Sequence, residues 1–137
     1  MFVRTRDDAV AAGHELEISH GTATSTRYLV KGDGLGFSFS AVFMAPGQEA
    51  TLWYRNHWEA NYIVSGSGEL EELASGRRWP LEPGTIYVVG PDDRHVVRAI
   101  GELRLVSVFN PPIVGDENHD EDGSFPPSGS LPPGPPA

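Results

Sequence analysis

A chain of 137 residues fits one domain with a real core, and nothing in it suggests two. Its 19 acidic and 10 basic residues leave a formal charge of -9, which opposes unassisted binding to nucleic acid or to anionic membranes. The absence of cysteine excludes a disulfide framework, a zinc knuckle and a thiol nucleophile.

Near the N-terminus, Arg4, Arg6, Asp7 and Asp8 interrupt the apolar stretch that a secretion signal needs. No window approaches the roughly 18 apolar residues of a membrane span, so a soluble, cytoplasmic protein is expected. Thr5 to Gly13 reads as a short helix, with Asp7 and Asp8 suited to its start and Gly13 to its end. The rest reads as strands. Phe37, Phe39, Ala41 and Phe43 alternate with serines and a valine, and Leu103, Leu105, Ser107 and Phe109 form a second run of period two. Short strands are expected at Asn61 to Val64, Thr85 to Val89 and Val96 to Ile100, with turns at Ser65 to Gly68, Ser75 and Gly76, Glu82 to Gly84, and Gly90 to Asp93. Many short strands at such intervals point to an all-β sandwich or barrel.

After Phe109 the composition changes. Asn110 to Pro112 stops the last strand, Asp116 to Asp122 is acidic, and six of the twelve prolines lie between Pro126 and Pro136. The proline tract lacks amide donors and apolar side chains, so residues 126–137 are expected to be a disordered tail on a domain of residues 1–125.

Two glycine-bounded segments carry the candidate chemistry. Gly47, Trp53, Arg55, Glu59 and Gly66 mark the first, and Gly84 to His95 the second. Glu59, Tyr87 and His95 make a mixed oxygen and nitrogen donor set suited to iron, manganese or zinc, and three protein ligands leave coordination positions open for substrate. His57, two residues before Glu59, shares its face if the strand extends that far, and could orient it. Each residue alone is as readily a core or surface group, but a glutamate and a histidine aimed into a barrel would be costly without a partner. In the acidic segment, Glu117 and His119 could move protons near neutral pH. Arg27 is a carboxylate clamp if it points inward, and Phe109, on the inward parity of the last strand, could pack on a substrate.

The spacing of the first segment resembles the metal motif of the cupins, with the usual two histidines replaced by Trp53 and Arg55 and the glutamate retained as Glu59. More closely, the chain from about Met1 to Phe125 resembles ectoine synthase, through Lys31 to Phe39 (KGDGLGFSF), Tyr54 to Glu59 (YRNHWE), Gly84 to Tyr87, Asp93 to His95 (DRH) and Val108 to Gly123 (VFNPPIVGDENHDEDG). The resemblance implies a single-domain cupin, a jelly-roll barrel that closes N-γ-acetyl-L-2,4-diaminobutyrate into ectoine with loss of water. It implies iron on Glu59, Tyr87 and His95, with Tyr54, His57, Phe109, Glu117 and His119 around metal and substrate, and a homodimer. The chain departs from the family pattern at Ala23, where a tryptophan is usual, at Val42, where a threonine is, and at Ser40, where a larger polar residue is common. A pocket widened there would suit a bulkier substrate, and the proline tail would suit a non-catalytic ligand-binding cupin that recruits a partner.

Overall fold

The computed structural model describes residues 1–136, so the last residue of the expected tail, Ala137, lies outside the described residues. A single short helix, α1 (Arg6–Ala11), precedes eight strands. Its start is fixed by a reciprocal cap in which the Asp8 N–H donates to Thr5 Oγ1 and the Thr5 N–H to Asp8 Oδ2. Gly13, at φ 79°, turns the chain out of the helix, as expected.

The strands are β1 (Glu15–Ile18), β2 (Ala23–Leu29), β3 (Ser38–Met44), β4 (Glu49–Leu52), β5 (Trp58–Glu72), β6 (Arg78–Leu81), β7 (Ile86–Val89) and β8 (His95–Asn110). They form one antiparallel sheet in the order β1-β2-β3-β8-β5-β6, with β4 paired to β8 and β7 to β5. The all-β fold is thus observed, as a barrel whose sheet does not close. Ile63 and Leu103, both fully buried, lie at the heart of its core with Leu81, Met44 and Val97.

Three local expectations are corrected. Ser65 to Gly68 is no turn: β5 runs straight through it, and the ladder to β8 shifts register between Ile63 and Ser65 and again between Gly66 and Gly68. Glycine here permits bulges, because a Cβ on Gly66 would fall 1.6 Å from the Glu102 carbonyl oxygen. Likewise Val96 to Ile100 and Leu103 to Phe109 belong to one strand, β8, continuous through Gly101.

The third correction is the tail, which lies against the barrel. Lys31 Nζ donates to the Ser128 carbonyl, His57 Nε2 lies 2.9 Å from Ser128 Oγ, and Trp58 Nε1 donates to the Pro132 carbonyl at 3.1 Å. Ser128 is buried, and Gly134 approaches the Trp58 ring closely. Proline removes donors but not acceptors, and carbonyl acceptance is what holds this segment.

Alternation in β3 is inverted relative to a simple core pattern. Ser38 and Ser40 are buried while Phe39, Ala41 and Phe43 face outward, half-exposed. The inner face here serves a polar site.

The bulge sets a clear stability test. Replacing Gly66 by alanine should cost about 3 kcal/mol or more, since φ is 92° and backbone blocks the methyl, whereas alanine at Gly76, at φ 73° in open space, should cost about 1 kcal/mol. Urea denaturation midpoints of the two variants check this difference.

Candidate active site

Strand register assembles the site. Arg27 on β2 lies opposite Ser40 on β3, Ser40 opposite Ser107 on β8, Ser107 opposite Asn61 on β5, and Asn61 opposite Tyr87 on β7. All five side chains line one interior cavity. One step along the barrel, Phe109, Glu59 and Val89 form the next row, with Glu59 and Phe109 also on the cavity wall. On the other side, Ser25, Val42, Leu105 and Ile63 make a mostly apolar row.

Glu59 is buried, and both carboxylate oxygens accept hydrogen bonds, Oε1 from Asn61 Nδ2 at 2.8 Å and Oε2 from Ser107 Oγ at 2.6 Å. Burial nevertheless pushes its carboxyl up to about 7, against the pull of those two bonds. Burial, with the adjacent Glu59 charge, also raises the Tyr87 phenol well above its ordinary value. His95, buried at the start of β8, lies 2.8 Å through Nδ1 from the Asp93 carbonyl. A carbonyl can only accept, so Nδ1 carries the proton and Nε2 presents a bare lone pair, which has no partner. Its ring meets that of Tyr87 edge-on at 6.4 Å between centroids.

That orphaned nitrogen fits a metal. No cluster of three His, Asp or Glu side chains occurs among the described residues, so a metal held here needs a phenol as its third donor. Glu59 and Tyr87 face the cavity, while His95 shares the neighbouring pocket with Tyr87.

Arg27 is fully buried. Its Nη1 donates to the Gly115 carbonyl at 3.0 Å and lies 3.7 Å from Glu117 Oε1, while Nε and Nη2 have no partner. Burial pulls the guanidinium below its ordinary value against the opposing effect of Glu117, and it stays cationic. Glu117 does not line the cavity. It accepts from the Gly115 and Val114 N–H groups at 2.7 and 2.8 Å, which fixes the turn carrying Arg27's acceptor. Burial raises its carboxyl, but these bonds and Arg27 outweigh that and hold it below the ordinary value.

His119 lines the cavity with Tyr54, whose hydroxyl lies 2.7 Å from its Nε2, and stacks on Phe125 at 4.3 Å. Tyr54 in turn meets Phe109 edge-on at 5.0 Å. His57 stands apart from the cavity lining, fully buried against Phe109 and Phe125, and burial lowers its imidazole to about 4. Ala23 and Val42 both line the cavity, beside Ser25.

Sequence reasoning missed Asn61, Ser107, Ser19 and Phe125. Asn61 and Ser107 share strand parity with Glu59 and Phe109, a signal that was available. Ser19 and Phe125 sit in loops, where no periodicity marks them.

An incompletely closed β-barrel with buried Glu59 and half-buried Tyr87 on its interior cavity, and buried His95 in the pocket beside it, defines a cupin. The sequence profile described as "Ectoine synthase" matches residues 1–129. The chain is 48% identical over 126 residues to an L-ectoine synthase of Desulfatibacillum aliphaticivorans, covering 92% of this chain and 97% of that protein. It is 41% identical over 126 residues to one of Saccharophagus degradans, covering 92% and 94%. The crystal structure of ectoine synthase from P. lautus superposes with a TM-score of 0.79 at 37% identity, covering 90% of this chain and 87% of that one. The chain belongs to the ectoine synthase family.

Glu117 carries a pH prediction. Its folded value lies below the ordinary 4.5, so its stabilisation is complete above 4.5 and is lost as pH falls through the lowered value. Glu117→Gln should therefore cost about 1–3 kcal/mol at neutral pH, with the gap to the natural chain shrinking in acid; urea unfolding across that range measures it.

Proposed function

We propose that this chain is a metal-dependent cyclising dehydratase, a hydro-lyase that converts N-γ-acetyl-L-2,4-diaminobutyrate to ectoine and water. The observation that carries this reading is Arg27, a fully buried cation with two unpaired donors in the wall of the cavity that Glu59 and Tyr87 also line. Such a fork matches an amino acid carboxylate, and the Gly115 and Glu117 contacts, both made by Nη1, leave Nε and Nη2 free for one. The named relatives support the same product.

In this reading Arg27 Nε and Nη2 hold the substrate carboxylate, and Glu117, acting through Arg27 and the Gly115 turn, positions that clamp. The α-amine, once deprotonated, attacks the acetamide carbonyl carbon. A C–N bond forms, the carbonyl oxygen collects two protons and leaves as water, and a C=N bond remains. Glu59, Tyr87 and His95 would hold the metal, with iron the first choice and manganese or zinc the alternatives; bound there, it supplies Lewis acidity at the carbonyl oxygen. Tyr87 and His119, both on the cavity wall, are the groups that move protons for the reaction, His119 through the Tyr54 hydroxyl bonded to its Nε2. Tyr54 and Phe109 pack against it, and His57 keeps the Phe109 and Phe125 rings in place from outside. The tight enclosure excludes water that would otherwise favour the open amide.

A second reading rests on Ala23 and Val42, which leave small or apolar side chains on the cavity wall: a cyclase of the same mechanism acting on a bulkier acetylated diamine. Supplying the purified protein with ferrous iron and N-γ-acetyl-diaminobutyrate and following ectoine by chromatography separates the two. Turnover of that substrate is expected, and none under varied metal and salt would sink the first reading. Arg27→Lys should raise KM by about tenfold or more, because a point charge cannot reproduce the fork. Metal analysis of the Glu59→Ala, His95→Ala double variant should show the metal lost; retained metal would remove these residues from the ligand set.

We also infer a cytoplasmic homodimer. Among the described residues no helix is long and apolar enough to cross a membrane. Exposed Tyr62, Val64, Ile86 and Val88 on the outer face of β5 and β7, with exposed Met1, Phe2 and Val3, favour pairing with a second copy. Sedimentation equilibrium should then give twice the chain mass of 14.8 kDa.

A further inference from the structure

His119 is hydrogen-bonded at both ends of its ring, and the two bonds lead in opposite directions. Nε2 lies 2.7 Å from the Tyr54 hydroxyl, which is buried in the cavity wall. Nδ1 lies 3.1 Å from Ser19 Oγ. Ser19 and His119 line the interior cavity and also an outer surface groove, together with His20, Thr22 and Glu121. With Ala50, the two residues therefore stand between the interior cavity and the outer groove.

The backbone at Ser19 is itself unusual. Ser19 and His20 are the two non-glycine residues of the described chain with positive φ, at 51° and 58°, in the turn between β1 and β2. Glycine or asparagine would occupy such a turn with less strain. Strain held at a non-glycine residue points to a use for its side chain. Here the side chain is a hydroxyl aimed at the ring.

We propose that Tyr54, His119 and Ser19 form a proton wire between the cavity and the outer groove, with Ser19 as the positioning residue at its solvent end; this rests on the cyclase reading above. Its resting direction follows from the donors. The buried phenol stays protonated and donates to Nε2, so the ring proton resides on Nδ1 and is donated to Ser19 Oγ. Burial, aided by the Arg27 charge, lowers the imidazole to about 3, so the ring rests neutral. Moving a proton outward then takes four transfers together. Tyr54 gains a proton from the cavity as it gives its own to Nε2, Nδ1 gives its proton to Ser19 Oγ, and Ser19 releases its own to water. Inward transfer reverses every step, and no charge remains on the ring. Ring closure needs both directions, since the amine loses a proton and the leaving oxygen gains protons within the barrel.

The test is Ser19→Gly in the full, iron-loaded protein. Glycine relieves the positive φ, so the melting temperature should hold or rise while kcat falls on the order of tenfold and KM changes by less than about twofold. Added imidazole buffer should restore kcat in proportion to its concentration, which a merely structural role would not produce. A kcat within about twofold of the natural chain, or a joint fall of kcat and melting temperature that imidazole does not relieve, overturns the wire. Nitrogen-15 histidine spectra of the zinc-loaded protein give a readout that needs no turnover. The His119 proton should sit on Nδ1 in both chains, because Tyr54 still donates to Nε2, and its Nδ1 resonance should shift in Ser19→Gly as the bond to Ser19 Oγ is lost; an Nε2 proton in the natural chain, or an Nδ1 resonance unmoved in Ser19→Gly, overturns the assignment. If the natural chain makes no ectoine, the cyclase reading fails, and these spectra alone decide the bonding of Ser19.

Discussion

The register between β5 and β8 governs everything else in this molecule. These strands, of 15 and 16 residues, are the longest in the fold, and β8 also pairs β3 and β4 while β5 pairs β6 and β7. A slip of one residue would turn every side chain of β5 to the opposite face. Glu59 and Asn61 would then point to solvent, and the outward Tyr62 and Val64 into the cavity. The two bulges around Gly66 confine the irregularity to the middle of the ladder, leaving the stretch from Trp58 to Ile63 in unbroken pairing with β8. The polar row from Arg27 to Tyr87 exists only because that stretch is regular.

Around that row, charge and satisfaction are unevenly distributed. Glu59 has both oxygens occupied, yet Arg27 retains two unpaired nitrogens and His95 one. Buried donors and acceptors are normally paired, and an exception costs roughly 1–3 kcal/mol or more each. The remaining core, with Ile63, Leu103 and Leu81 fully buried, has to offset that cost. Unsatisfied buried groups on and beside an interior cavity are the expected signature of a site organised for a ligand rather than for stability.

Much of this was legible beforehand, and the failures have physical causes. Glu59, Tyr87 and His95 stood out because their residue types are expensive inside a barrel, and the structure buries Glu59 and His95 and sets Tyr87 on the cavity wall. β3 misleads a simple hydrophobic count, because its serines face the site and its phenylalanines the outside. Gly66 and Gly68 read as a turn because glycine permits both a turn and a bulge, and only the partner strand distinguishes them. His57 shares the face of Glu59 only if the strand extends to it, and β5 begins at Trp58 while His57 lies against Ser128. Contacts between loops distant in sequence, such as Ser19 with His119, leave no periodic trace at all.

The proline-rich segment misled for a different reason. Its anchors at Ser128 and Pro132 are backbone carbonyl oxygens, joined by one serine hydroxyl, and every amino acid supplies such a carbonyl. Selection on this segment would thus act on the number of residues between anchors more than on their identity. Point substitutions at exposed Ser130 and Leu131 would drift freely, while an insertion or deletion of one residue between 128 and 132 would move the Trp58 contact out of reach. Comparisons of related chains that mask low-complexity stretches would discard a wall of the molecule, and its trace would survive only as a conserved spacing.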